Sequence, residues 1–320
     1  MKIMVTGGAG FIGSNVVDGY IKEGHQVVVV DNLSSGTREN VPPEATFYEV
    51  DIRSSEMQRI FEKEKPDILN HHAAQISVPE SVTDPLFDAD VNIKGFLNLL
   101  ECSVRHRVRK VIFISSGGAI YGEATEYPTS EQYPPQPLSP YAVSKFCSEK
   151  YLAYYKHQYG IEYTTLRYSN IYGPRQIRYG EAGVVAIFMD NLINEQPSVL
   201  YHFQDDPEGM VRDYCYVGDV VEANLRALEA GDGDYFNIGT GVETRTLELY
   251  KLIFETFKKF GRDVPNELAI PKRELARPGD LTRSCLRVEK AKAILGWEPK
   301  TSLGKGLEKT LEWRLGMEMG

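Results

Sequence analysis

Tyr141 and Lys145, four residues apart in the run SPYAVSKFCSEKYLAYY, are the side chains with the clearest chemistry in this chain. Behind Pro140, the residues Val143, Phe146, Cys147, Leu152 and Tyr155 recur at helical spacing, which predicts a helix with these residues on one side. Residues four apart on a helix share a face, so the phenol and the ammonium share a pocket. A tyrosine titrates near about 10 and is a poor base at neutral pH, whereas a cation held close favours its phenolate. The pair therefore offers an acid–base catalyst. An isolated Tyr-x-x-x-Lys more often marks an amphipathic surface helix, so the reading depends on what surrounds it.

The elements that would position the pair alternate. Strand-like runs at 2–6 (KIMVT), 26–31 (QVVVVD), 46–50, 67–73, 110–116 (KVIFISS) and 162–168 are separated by helical runs at 11–23, near 55–63, across 86–105 and from Tyr141. Strands alternating with helices imply a parallel sheet covered on both faces, and uninterrupted apolar strands such as VVVV suit it. The second half is less regular. A loop at 169–180 carries Gly, Pro and two arginines, helices are expected near 181–195, 218–230 and 246–260, and a strand at 234–239. A basic, proline-marked turn, KRELARPGD at 272–280, precedes the final helices. No flexible linker appears, so a second domain packs directly on the first and interleaves with it in sequence.

The first strand runs into TGGAGFIG, which places Gly7, Gly10 and Gly13 at the strand-to-helix turn. Glycines there allow a tight turn and let backbone amides approach a pyrophosphate at the helix N-terminus. Asp31 ends the second strand eighteen residues after Gly13, where a carboxylate meets the hydroxyls of an adenosine ribose and repels a 2′-phosphate. This combination favours NAD over NADP. Arg38 nearby reads as a solvated loop charge.

Composition bounds the alternatives. A chain of 320 residues builds a sizeable core, and a net charge of −9 argues against a nucleic-acid partner while permitting a local anion site. The four cysteines, 102, 147, 215 and 285, have no metal-ligand spacing and read as buried or half-buried thiols of a reducing compartment. His71 and His72 read as strand-end residues, since no carboxylate or cysteine stands at ligand spacing beside them; no metal is expected. The start MKIMVTGG lacks a signal-like apolar core, and the longest apolar runs are too short for a bilayer, so a cytoplasmic protein outside the membrane is expected.

With the glycine turn, the acidic strand end and Tyr-x-x-x-Lys in this order, the chain resembles the extended short-chain dehydrogenase/reductases over nearly its full length. LRYSNIYGPRQ, EAGVVAIF, MVRDYCYVGDVV, FNIGTG, ARPGDLTRS and LGWEP narrow the resemblance to the UDP-glucose 4-epimerases and their sugar-nucleotide relatives. It implies a Rossmann-type doubly wound parallel sheet (residues 1–168 with about 214–238) and a smaller, mixed α/β substrate domain (169–213 with about 239–320). It implies NAD contacts from Gly7, Gly10, Phe11 and Ile12, from Asp31, Asn32, Ser35 and Gly36, from Asp51 and Ile52, and from Ala73, Ala74, Asn92 and Ser115. Tyr168 is placed beside the nicotinamide, with Tyr141 and Lys145. A UDP-sugar falls to Asn170 and Val185 at the diphosphate-uridine, Arg212 and Arg277 at the phosphates, Asp280 at the ribose and Ser284 at the sugar. A forked guanidinium matches phosphate oxygens, which supports the two arginines independently. The implied reaction is inversion at the sugar C4 through a 4-keto stage, with Tyr141 as acid–base. The family dimerises through two long helices, here about 86–105 and 140–158, so a homodimer is expected.

Two departures from the pattern matter. Relatives carry Ser or Thr four residues before the tyrosine of the Tyr-Gly segment, and here that position is Gly117, so Ser116 or a bridging water is the expected substitute. Around Ile76, where some relatives keep a lysine over the cofactor phosphates, the charge is absent. Sugar 4,6-dehydratases carry an Asp-Glu pair, and UDP-glucuronate decarboxylases a Glu, just before the Tyr-Gly tyrosine; Gly118 and Ala119 stand there and supply no acid. A small residue at Ser284 predicts room for an N-acetyl group, leaving UDP-N-acetylglucosamine and UDP-glucuronate 4-epimerases as alternatives. An NADH-releasing dehydrogenase and a non-catalytic NAD- and sugar-nucleotide-binding regulator are the readings from other classes. The loop FQDDPEGM at 203–210 is given no base contact.

Overall fold

The computed structural model describes residues 1–177, 183–277 and 279–316. Arg178, the start of the helix expected from 181 and Pro278 thus lie outside the described residues. Among the described residues thirteen strands follow in chain order. They are β1 (Lys2–Thr6), β2 (Gln26–Asp31), β3 (Thr46–Glu49), β4 (Ile68–His71), β5 (Lys110–Ser116), β6 (Glu162–Tyr168) and β7 (Asn170–Tyr172), then β8 (Val199–His202), β9 (Val211–Arg212), β10 (Tyr214–Tyr216), β11 (Asp234–Ile238), β12 (Thr244–Arg245) and β13 (Lys272–Leu275).

Seven strands form one parallel sheet in the order β11-β6-β5-β4-β1-β2-β3, the doubly wound arrangement expected from the alternation of strands and helices. Order reverses at β1, whose neighbours are β2 and β4, and the crevice beyond the strand ends at such a reversal is where ligands bind. Both faces are covered. Val5, Val27, Val29 and Ile112 pack with Val16, Val17 and Tyr20 of helix Phe11–Lys22 and Val220 and Ala223 of helix Val217–Ala227. Met4, Val28, Val30, Leu69 and Phe113 pack on the other face with Phe61, Leu99 and Leu152.

The remaining strands form three short pairs, β10 with β7, β12 with β9 and β13 with β8, the first and last parallel and the second antiparallel. Helices Val184–Ile193, Thr246–Lys259 and Leu303–Arg314 pack around them through Phe188, Met189, Tyr250, Ile253, Leu307 and Leu311. Two expectations are corrected. Lys272–Leu275, read as part of a turn, is a strand registered against Val199–His202. The helix expected unbroken across 86–105 is a short helix Pro85–Ala89, a π-helical turn Asp90–Gly95 and a helix Phe96–Arg105. No helix among the described residues is long and apolar enough to cross a membrane.

Candidate active site

Helix Pro140–Tyr159 carries Tyr141 in its first turn. Ser139 caps it, its hydroxyl accepting from Ala142 N at 3.2 Å, Pro140 takes the first helical position, and Gly160 closes the other end at φ 72°. Its buried face differs from the apolar side expected. Val143 is 49 % exposed, while Ala142, Ser144, Lys145, Ser148 and Glu149 turn inward with Leu152 and Tyr155. Burying polar side chains costs free energy unless each finds a partner, and here partners are supplied by neighbouring elements. Ser144 donates to Asp88, Lys145 to the Ile114 carbonyl at 3.0 Å, Ser148 to the Asn92 and Ser144 carbonyls, and Glu149 accepts from Arg167. The turn bearing Tyr141 and Lys145 is thus fixed by hydrogen bonds as well as by packing.

Above this turn, beyond the strand ends, lies a cleft of about 340 Å³ that brings most of the expected residues together. Gly7, Gly10, Phe11, Ile12, Asp31, Asn32, Ser35, Asp51, Ile52, Ala73 and Ala74 line one end. Ser115, Ser116, Tyr141, Lys145, Tyr168, Asn170 and Val185 line the other. The Lys145 ammonium lies 5.8 Å from the centroid of the Tyr141 ring and 5.3 Å from that of Phe113. Burial pushes Lys145 down to about 8, against which the Asp88 charge raises it.

The glycine turn is shaped by contacts no side chain tolerates. Gly7 has φ +71°, and a Cβ there would lie 2.5 Å from Ala73 N; a Cβ on Gly13 would run into the Gly7 carbonyl. Gly10 is the N-cap of helix Phe11–Lys22 and no side chain caps that end, which leaves its first amides facing the cleft. The Asp31 carboxylate accepts from Ala9 N at 2.9 Å and Leu33 N at 2.8 Å, and burial holds it above its ordinary range. Asp51 is gripped by Arg53 and by Asn32, and the Arg53 hydrogen bonds bring its carboxyl down to about 2. Several buried polar atoms of the lining lack a protein partner, among them Ser115 Oγ, Ser169 Oγ and Asn170 Oδ1. Polar groups buried in this way ordinarily meet a ligand or water. Helix terminus, glycine cradle, Asp31 and these atoms fit a dinucleotide and a second ligand beyond it.

Other expected residues lie off the cleft wall. Asn92 is behind it, paired reciprocally with the Gln75 backbone and donating to Asp88. Gly36 packs against Ala9, where a Cβ would meet the Ala9 backbone at 2.7 Å. Arg212 donates to the Val211 and Leu281 carbonyls, and Arg277, exposed, pairs with Asp280 at 3.2 Å and lies over the Tyr201 ring. In the loop given no base contact, Asp206 pairs with Arg245. Ser284 is buried, and its hydroxyl stands 3.8 Å from where a Gly118 Cβ would lie; Asn170 Oδ1 is at the same distance and Ser116 Oγ at 4.0 Å. These three polar groups surround Gly118 at ordinary contact distance from a Cβ there, and Gly118 lines the same cleft as Tyr141. Gly117 faces elsewhere: a Cβ there would meet the end of the Leu286 side chain at 2.6 Å, so a hydroxyl-bearing residue at that position would require Leu286 to move. His72, Ser169, Tyr172, Gln176 and Tyr214 also line the cleft. Of these, Ser169, Tyr172, Gln176 and Tyr214 stand inside quoted motifs, but only the fold shows which of their side chains turn inward. His71 is buried, bonded to Thr6 and stacked on Phe96, as a strand-end residue.

Residues 3–239 match the model of the NAD dependent epimerase/dehydratase family. The chain belongs to that family. It is 43 % identical over 319 residues to a UDP-glucose 4-epimerase of Mycolicibacterium smegmatis, covering 98 % of each chain. Among solved structures it is similar to the UDP-glucose 4-epimerase of Thermotoga maritima with UDP-glucose, at TM-score 0.92, 49 % identity and 99 % of each chain. It is also similar to the Thermus thermophilus UDP-glucose 4-epimerase in complex with NAD, at TM-score 0.90, 44 % identity and 99 % of each chain. Family membership makes NAD the cofactor that the glycine turn and Asp31 fit. Gly7→Ala is expected to leave the purified protein with less than about a tenth of its bound nucleotide, because its φ and the Ala73 contact both oppose a Cβ. Nucleotide released on acid denaturation measures this, and full occupancy would show that the turn does not hold the cofactor.

Proposed function

We propose that the protein inverts the configuration at C4 of UDP-sugars, interconverting UDP-galactose and UDP-glucose, with Tyr141 as acid–base. The observation carrying this is the buried Lys145 beside Tyr141 at the sugar-facing end of a dinucleotide cleft, in a chain similar to UDP-glucose 4-epimerases over its whole length. Bound NAD would supply reversible oxidation at C4. The Tyr141 oxygen takes the C4 hydroxyl proton and gives it back, and Lys145, fixed by the Ile114 carbonyl, favours the phenolate. Ser116 Oγ, on the cleft wall near Gly118, is in this reading the hydroxyl that links Tyr141 to the sugar oxygen. Arg212 and Arg277 with Asp280 anchor the nucleotide end, Arg277 leaving its pairing with Asp280 to do so. A fixed nucleotide leaves the sugar free to present either face.

In this reading residues 1–168 with about 214–238 hold NAD and residues 169–213 with about 239–320 hold the UDP-sugar. Ser284 beside Gly118 supports the second reading, a 4-epimerase accepting N-acetylated sugars, since both residues are small. The protein is a cytoplasmic homodimer in this account. Its support is apolar surface on adjacent helices, with Leu86 82 %, Val143 49 % and Tyr154 51 % exposed.

Incubating the pure protein with UDP-galactose, UDP-N-acetylglucosamine and UDP-glucuronate, without added NAD, tests all of this. The C4 epimers of the first two are expected, with no net absorbance at 340 nm. Accumulating NADH would make the protein a dehydrogenase, and absence of any epimer would make it a binder. Epimers from UDP-galactose alone would close the cleft near Gly118 to an N-acetyl group.

A further inference from the structure

Beneath the cleft, Asp88 is fully buried at 0 % exposure, although nothing in its position in PLFDADVNIKG marks it from sequence. It stands in the short helix Pro85–Ala89, next to the π-helical turn Asp90–Gly95. Its Oδ2 accepts from Ser144 Oγ at 2.6 Å, and its Oδ1 from Asn92 Nδ2 at 2.9 Å and Gln75 Nε2 at 3.2 Å. Burial raises the Asp88 carboxyl above its ordinary range, and against that the Ser144, Asn92 and Gln75 hydrogen bonds and the Lys145 charge favour its ionised form. Those donors come from three segments: the loop after β4 that carries Ala73 and Ala74, the π-helical turn, and the residue next to Lys145.

Lys145 is itself 5 % exposed, and its bonded partner is an uncharged carbonyl. A buried ammonium with only a neutral acceptor tends to lose its proton. The titratable groups around it are Asp88, the imidazoles of His71 and His72 at the end of β4, and Tyr141 on its own helix. Both imidazoles are pushed far down by burial and are neutral, His72 to about 3. The negative charge that acts on the ammonium is that of Asp88.

We propose that Asp88 is a positioning residue for the Tyr141–Lys145 pair, a buried counter-charge that keeps Lys145 protonated while its bond to Ser144 fixes the turn carrying both side chains. Its effect on turnover rests on the acid–base role given above to that pair; its effect on Lys145 does not.

Asp88→Asn separates charge from scaffold. The amide oxygen still accepts from Asn92 and Gln75, and the new NH₂ donates to Ser144, whose hydroxyl rotates to accept. Ser144→Ala does the reverse, removing one bond and keeping the charge. Lysine-labelled protein, with the Lys145 Cε resonance assigned by its loss in Lys145→Arg, reports the Lys145 ionisation directly. Asp88→Asn is expected to lower its midpoint by about one pH unit, and Ser144→Ala to leave it in place. The alkaline limb of kcat is expected to move down with it, because Lys145 must be protonated to act and now loses its proton at lower pH. At pH 8 that costs Asp88→Asn roughly five- to tenfold in kcat. If Asp88→Asn does not fold, Asp88→Ser, smaller and still able to hydrogen-bond, carries the same titration. A Lys145 midpoint unchanged in the uncharged variant overturns the proposal. A shifted midpoint with unaltered turnover would instead locate the failure in the acid–base role of Lys145.

Discussion

Tyr141→Phe is expected to lower kcat for C4 epimerisation by about a thousandfold or more while leaving the bound NAD and the melting temperature close to those of the parent. The substitution removes one oxygen. The ring stays, so the cation–ring contact with Lys145 and the packing of the first helical turn stay with it. What is lost is the atom that, in the proposed mechanism, takes and returns the C4 hydroxyl proton, and a positioned general acid–base contributes about a hundred- to ten-thousandfold. Ser116→Ala is the informative companion. Ser116 lines the same cleft and only relays or orients in this account, so a loss of roughly tenfold is expected of it. The pair of results has a defined failure: Tyr141→Phe retaining more than a tenth of kcat would move the acid–base role elsewhere, and an Ala variant at 116 as impaired as Tyr141→Phe would make Ser116 the candidate. Measuring both on UDP-galactose across pH, with nucleotide content determined on the same samples, keeps loss of cofactor from being read as loss of catalysis.

Much of this arrangement is legible in the residues alone. The valines of β2 and the alternation of strands and helices give the parallel sheet, because a run buried on both faces needs no polar interruption. Gly7, Gly10, Asp31, Tyr141, Lys145 and Tyr168 reach one cleft because their spacing fixes them at strand ends and helix starts, and the topology collects those at one edge. Legibility ends where polar groups are buried against one another. Hydrophobic periodicity puts Val143, Phe146 and Cys147 inward, yet Ser144, Ser148 and Glu149 are inward instead, because Asp88, Asn92 and Arg167 wait on other elements to satisfy them. Asn92, expected on the cofactor, serves the scaffold behind it, and the π-helical turn that puts it there has no periodic signature. Gly117 is similar: its departure from the family pattern is visible in sequence, but the Leu286 side chain that a Cβ there would meet belongs to a residue distant in the chain.

Breaking the Arg167–Glu149 pair is expected to cost about 3–5 kcal/mol of stability. The Arg167 side chain is 2 % exposed and that of Glu149 6 %, and two guanidinium nitrogens meet the two carboxylate oxygens at 3.0 and 2.6 Å. A third nitrogen donates to Tyr121 at 2.8 Å, and the guanidinium lies 4.0 Å from the centroid of Tyr235. Removing the carboxylate, as in Glu149→Ala, strands a cation whose remaining partners are a phenol and an aromatic face, and it opens space where the helix meets the sheet. For a chain of this size the melting temperature is expected to fall by roughly 10 °C. Replacing both charges together, Glu149→Leu with Arg167→Met, is expected to recover most of that loss, because the penalty lies in an unpaired buried charge more than in the missing attraction. Glu149 is two turns beyond Tyr141 on the same helix and Arg167 precedes Tyr168, so the pair also ties the helix carrying Tyr141 to the strand that ends at Tyr168. The double variant separates these contributions. Recovered stability with kcat still depressed would show that the bidentate geometry holds Tyr141 in place, whereas recovery of both would leave the pair a purely structural tie. Thermal unfolding that finds Glu149→Ala as stable as the parent would mean that the guanidinium reaches water or a new acceptor once the carboxylate is gone.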